Sequence, residues 1–161
     1  MSSPPTLRPA QPADETALGR LGALLVEEHY EFDPQRFVAP RPDMPRAYGH
    51  FLVSHIGSVD RAVLVAEQDG AVVGYVFFGL EGFDYMALRG PAGAIYDLVV
   101  DPEHRRQGVG KLLMDAALAD LAKRGAPRAV LSTAEKNHGA HRLFEREGFR
   151  RTMIEMTREL G

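Results

Sequence analysis

At 161 residues, with 45% hydrophobic and 25% charged residues, the chain is sized for one domain, residues 1–161, with its own core. Its formal net charge of −3 argues against a nucleic-acid binder, which carries a basic surplus. Cysteine is absent, which excludes disulfides, thiolate metal ligands and a cysteine nucleophile, and agrees with a reducing cytoplasm.

No apolar run approaches the roughly 20 residues that cross a bilayer, and residues 1–14 lack the charged-then-apolar pattern of a signal segment. The expected location is the cytoplasm, with neither a membrane nor a nucleic acid as partner. Residues 1–5 are small and Pro-rich, and disorder is expected there. Residues 6–8 read as a short first strand. Residues 13–30 read as a helix: Ala17, Leu18, Leu21, Leu24 and Leu25 recur at helical spacing behind Asp14, a candidate N-cap. Residues 31–46 hold four prolines and no period, the mark of a long loop. Residues 47–56 read as a second helix. Two β-branched, apolar runs, residues 61–68 and 71–80, then flank Asp69-Gly70, a strong hairpin signal. Residues 81–93 are irregular, and residues 94–100 form a buried strand. Residues 108–124 are a helix with Val109, Leu112, Leu113, Ala116, Ala117 and Leu121 on one face, Gly125 as its C-terminal stop and Pro127 beyond. Residues 128–133 read as a strand, 137–147 as a helix ending at Gly148, and 149–157 as a closing strand. The order, a hairpin followed by two strand–helix steps, predicts a mixed α/β sheet rather than a doubly wound parallel one.

Arg105-Arg106-Gln107-Gly108-Val109-Gly110 lies between the strand ending at Val100 and the helix that follows. A basic, Gly-containing turn at a helix start gathers free N–H groups, cationic side chains and the positive end of the helix dipole. An anion, most naturally a phosphate, fits that arrangement. Neither familiar nucleotide motif applies. A dinucleotide fingerprint needs three glycines after the first strand, and a P-loop needs Ser or Thr where Leu112 stands.

The turn resembles the signature of the GNAT superfamily of acyl-coenzyme A-dependent N-acetyltransferases, Gln/Arg-x-x-Gly-x-Gly/Ala, and matches it position by position. Its flanks are similar too. Leu98 to His104 resembles the strand and Pro-containing turn before that signature. Asn137, Ala140, Leu143, Phe144, Glu145, Gly148 and Phe149 resemble the second signature, and Leu7-Arg8-Pro9-Ala10 before a helix is family-like. The resemblance implies an α+β fold whose mostly antiparallel central sheet splays between strands 4 and 5, flanked by about four helices. It implies acetyl-CoA as acyl donor, with no metal. The pantetheine arm would pair with the backbone of Leu98, Val99 and Val100. The diphosphate would lie on Arg105, Arg106, Gln107, Gly108, Val109, Gly110 and Lys111. Asn137 is either a helix N-cap or a pantetheine ligand, or both.

The chain departs from the family at two catalytic positions. Phe144 stands where many members carry a proton-donating Tyr, and Tyr96 stands where some carry a Glu base. That leaves Tyr96, Asp97 and His138 as the catalytic candidates, with Glu67, Tyr85, Ser132 and His141 behind them. By strand alternation Tyr96 and Asp97 are expected on opposite faces, Asp97 serving as a base or only as a satisfied acid. His138 has the intrinsic titration range of a base. His138 and His141 stand three apart on a helix, but no third metal ligand is evident. The resemblance implies as acceptor a primary amine of a small molecule or peptide, entering where Glu27, Glu28, His29, Tyr30, Glu31, Phe32 and Asp33 form either an acceptor-binding lip or only a solvated acidic helix end, with Glu81, Asp84 and Tyr85 as a second possible wall. The alternative is a non-catalytic acyl-CoA sensor. Homodimers are common in the resemblance class, and the apolar closing strand is a candidate interface.

Overall fold

The computed structural model describes all 161 residues. The elements in chain order are β1 (Thr6–Pro9), α1 (Glu15–Phe32), α2 (Met44–Val53), β2 (Arg61–Gln68), β3 (Ala71–Glu81), β4 (Ala92–Val100), α3 (Val109–Lys123), β5 (Ala129–Leu131) and α4 (His138–Arg146). The strands lie side by side in sequence order, antiparallel except for the parallel pair β4–β5. No helix is long and apolar enough to cross a membrane.

Strand alternation gives the sheet two apolar faces. Val76, Phe78 and Ile95 meet Leu113, Met114, Ala117 and Leu121 of α3 on one face. Val65, Tyr75, Phe77 and Val99 meet Leu18 and Leu21 of α1 and Leu52 of α2 on the other. Each fully buried Leu or Val side chain contributes about 1.5–3 kcal/mol. The β2–β3 hairpin turns at Asp69 and Gly70, whose φ angles of 51° and 79° match the left-handed pair of a type I′ turn.

Helix α1 packs closely on α2. A methyl group on Gly22 would stand 2.1 Å from the Tyr48 ring, and one on Gly19 would stand 2.0 Å from Pro45 O. Two glycines inside α1, each costing helix propensity, thus let α2 seat Tyr48 against the sheet. The helices also run further into the predicted loop than their periodicity implies, so the irregular stretch shrinks to residues 33–43.

Three expectations fail. Residues 149–157 form no strand: Gly148, at φ 91°, ends α4 with Phe149 N bonded to Phe144 O, and the chain beyond finds no ladder partner. Strand-like composition cannot make a strand without one. The side chain of Asp14 does not cap α1; it accepts a bidentate pair from Arg8 at 2.8 and 2.9 Å and a bond from Gln11 N. Finally, Tyr96 and Asp97 share a face. The β3–β4 register pairs Phe77 with Asp97 but Phe78 with Ile95, leaving Tyr96 as an extra, bulged residue. Alternation therefore breaks at Tyr96. Its ring lies 4.9 Å from that of Phe77, on the α1–α2 side.

Candidate functional site

The β4–β5 ladder covers only Gly93–Ala129, Ala94–Val130 and Ile95–Leu131. Residues 96–100 of β4 then continue with no strand on that side. A cavity of about 240 Å³ opens at the parting. Its walls are Ile95 to Leu98 of β4, Leu131 at the end of β5 with Ser132 and Thr133 after it, Asn137, Ala140 and Phe144 at α4, and Leu25, Val26, His29, Phe37 and Val38 from α1 and the loop after it.

The backbone direction along this edge follows from one bond. Asp101 N donates to Val73 O, toward β3. Antiparallel strands alternate the direction of successive peptide groups, so Val99 also faces β3, while Leu98 and Val100 turn N–H and C=O to the open side. Val100 O there accepts from Arg105 Nε at 2.9 Å. The bulge raises no local sequence signal. It gives the cavity two neighbouring side chains of β4, Tyr96 and Asp97, where unbroken alternation would give one.

Asp97 is the centre of a buried polar cluster. Its Oδ2 accepts from Tyr48 Oη at 2.6 Å and Tyr75 Oη at 2.8 Å, while Oδ1 makes no hydrogen bond. Burial pushes the carboxyl above its ordinary value, against the pull of the two tyrosine hydroxyls. Burial and the Asp97 charge likewise raise both tyrosine hydroxyls. Tyr96 Oη donates to Glu81 Oε1 at 2.9 Å, and burial followed by that bond raises its hydroxyl too. Burial works against the charge on Glu81, but bonds from Arg89, at 2.7 Å, and Tyr96 hold its carboxyl below the usual range.

The turn after β4 is built to leave donors free. Asp101 caps a short 3-10 turn, Pro102–His104, by accepting from Glu103 N at 3.1 Å. Arg106 and Gly108 take φ angles of 61° and 83°. Gly108 precedes the first residue of α3, and only glycine adopts that angle without strain. The backbone N–H groups of residues 106–111 have no acceptor within the protein. They are the orphan donors of a helix start, gathered on one turn.

The predicted residues divide accordingly. Tyr96, Asp97, Leu98 and Asn137 line the cavity; Asn137 also caps α4, its Oδ1 accepting from Ala140 N at 3.2 Å. Arg106, Gln107, Gly108, Val109, Gly110 and Lys111 present the free N–H groups. Val99 gives its backbone to the β3 ladder and its side chain to the core. Arg105 is engaged with Val100 O and, at 2.5 Å, with Glu28 of α1. The Lys111 ammonium pairs with Asp115 at 2.6 Å. His138 is exposed at the start of α4, its ring 5.7 Å from that of His141, and lines no part of the cavity. Sequence reasoning missed Tyr48 and Tyr75 as partners of Asp97. A detectable signal for Tyr48 was the pair Gly19 and Gly22, unexplained in an otherwise regular helix.

The chain resembles known proteins in sequence and fold. Residues 23–149 match the model of the acetyltransferase (GNAT) family. A mycothiol acetyltransferase from Thermobispora bispora is 38% identical over 96 residues, which are 57% of this chain and 31% of that protein. The chain thus spans about a third of the length of that relative. A GCN5-related N-acetyltransferase from Ralstonia eutropha is 25% identical with a TM-score of 0.73, over 98% of this chain and 99% of that one. The aminoglycoside N-acetyltransferase AAC(6')-Iy, in complex with CoA, shares the fold at TM-score 0.72 and 17% identity, over 99% of this chain and 96% of that one.

Proposed function

We propose that this chain, which belongs to the acetyltransferase (GNAT) family, moves an acetyl group from acetyl-CoA to a primary amine of a small molecule or peptide. The observation that carries the reading is the parting of β4 from β5 beside a turn of unpaired N–H groups. From Leu98 at the cavity wall, Val99 and Val100 carry β4 on to the Asp101–Arg105 stretch that leads into the turn. The diphosphate sits on the N–H groups of residues 106–111. The pantetheine arm runs along the open edge of β4, where Leu98 and Val100 offer the groups a neighbouring strand would use. Asn137 and Phe144 form the opposite wall.

The thioester then lies in the cavity, with the outward N–H of Leu98 nearest its carbonyl. A donor placed for the oxyanion contributes on the order of 3 kcal/mol to the transition state. The amine attacks the carbonyl carbon, the C–S bond breaks, and the products are an amide and CoA. No covalent enzyme intermediate is needed, in keeping with the absence of cysteine. A thiol pKa of about 8.5 lets CoA depart as thiolate, so Phe144 is no obstacle. Tyr96 reaches the cavity but donates its proton to Glu81, so acting as an acid would require it to give up that bond.

The test is calorimetric titration with acetyl-CoA, followed by turnover with spermidine, tobramycin, an alanyl dipeptide amide and 2-phenylethylamine. Micromolar binding by the native chain, lost in Gly108→Glu, is expected, because the variant puts bulk and negative charge where phosphate sits. Binding without turnover of any amine would favour the acyl-CoA sensor. No binding by the native chain would remove the transferase reading.

A further inference from the structure

The cavity has a titratable side chain beyond Tyr96 and Asp97. His29, in the last turn of α1, lines the wall facing Asn137 and Phe144. Its Nδ1 lies 2.8 Å from Leu25 O. A carbonyl only accepts, so Nδ1 carries the hydrogen, and in the neutral ring Nε2 is left as a lone-pair acceptor. Nε2 makes no hydrogen bond. The ring is held edge-on by Phe32 and Phe37, at centroid distances of 5.8 and 4.9 Å. Its orientation and its tautomer are therefore both fixed by the protein.

Building on the transferase reading, we propose that His29 is the general base, its Nε2 taking a proton from the acceptor's ammonium group before attack, and that Asp97 is the positioning residue that stabilises the imidazolium so formed. The proton count closes. R–NH3⁺ gives one proton to Nε2 and becomes the nucleophile. After attack the amide nitrogen loses its second proton to the departing thiolate, and His29 returns the first to solvent.

The other candidates in the cavity are less suited. Tyr96 Oη is bound as a donor to Glu81. Asp97 already holds two tyrosine hydroxyls on one oxygen. Its Oδ1 makes no hydrogen bond, and Asp97 and His29 line the same cavity, so a carboxylate is at hand for an imidazolium there. The titratable groups that share the cavity with His29 are Asp97 and Tyr96 on β4; Asp97 in turn holds Tyr75 of β3 and Tyr48 of α2, and Arg36 lies 4.9 Å over the ring of Phe37, which packs on His29. On α1 itself, Glu28 is engaged with Arg105.

The experiment compares the native chain with His29→Gln and His29→Asn, using the best amine of the panel above. It reads kcat against pH, acetyl-CoA affinity and melting temperature. His29→Asn keeps a donor near Leu25 O and guards against a folding defect in the first variant. A positioned base contributes about 10²–10⁴-fold. The expected result is a kcat loss of about 100-fold or more, with acetyl-CoA affinity within about twofold of native. The ascending limb of the native pH profile should vanish, and added imidazole should restore part of the rate to a third variant, His29→Ala. A loss below about threefold with the limb retained would overturn the assignment while leaving the transferase reading intact. A native chain that turns over no amine would overturn both.

Discussion

At the scale of single residues, the two carboxylates of the structure with the most developed partners shift in opposite directions, and the signs separate them experimentally. The folded carboxyl of Asp97 is raised, chiefly by burial. At low pH it is protonated in both the folded and the unfolded chain and costs nothing. As pH rises through the unfolded value of about 3.9, the unfolded chain ionises first, so stability falls until the folded group ionises too. Asp97→Asn removes that loss while its amide oxygen still accepts from Tyr48 and Tyr75. The melting temperature of Asp97→Asn minus that of the native chain is therefore expected to grow as pH rises above about 4; a flat difference would show that burial does not dominate at this site. Asp14 behaves in reverse. Its bidentate bond from Arg8 holds the carboxyl below its ordinary value, against burial. The stability it supplies is present above the unfolded pKa and lost as pH falls through the lowered one. Arg8→Met strands a buried carboxylate, an effect of about 3 kcal/mol. Denaturant melts at pH 7 are expected to show that cost, and melts near pH 3 to show a smaller one.

At the scale of elements, the close contact of α1 and α2 sets the polar cluster around Asp97. Tyr48 reaches Asp97 only because Gly22 leaves room for its ring. Gly22→Ala improves helix propensity by about 1 kcal/mol but drives a methyl into the half-buried Tyr48 ring, and overpacking of this kind costs about 1–3 kcal/mol. The variant is expected to be no more stable than the native chain and to turn over more slowly, because Tyr48 is moved off Asp97. A crystal structure with Tyr48 still 2.6 Å from Asp97 would contradict this. Legibility in the sequence differs by element for the same kind of reason. The β2–β3 hairpin and α3 were readable because their determinants are local: an Asp-Gly turn, and an apolar face with a glycine stop. The turn of free N–H groups before α3 was readable because its character belongs to backbone and glycine. The bulge at Tyr96 was not, because it depends on the register against β3 and no residue at that point announces it. His29 was visible only as part of an acidic lip. Proposing it as a base requires knowing that Leu25 O fixes one nitrogen and that His29 lines the same cavity as Asp97.

At the scale of the whole molecule, the final segment is the region where composition and structure part most clearly. Residues 150–161 carry Met153, Ile154, Met156 and Leu160 with 78–92% of each exposed. None of them enters the core or a ladder. The segment is tied to the rest by surface ion pairs, Arg36 with Glu155 and Arg151 with Glu145. Exposed pairs of this sort contribute about 0–1 kcal/mol each. Deleting residues 151–161 keeps Phe149, which packs against the α3-side core. The deletion is expected to lower the melting temperature by no more than about 8 °C, since the two pairs together are worth at most about 2 kcal/mol and 1 kcal/mol corresponds to about 2–4 °C in a domain of this size. A much larger fall would mean that the segment pairs with the open edge of β5 in solution, as its composition suggested. Sedimentation of the same two chains addresses the homodimer. If the exposed methionines and leucine hold two copies together, the native chain sediments as a dimer and the shortened one as a monomer. If both are dimers, the interface lies elsewhere, and the apolar loop of Phe83, Tyr85, Met86 and Leu88, each at least 74% exposed, becomes the surface to mutate.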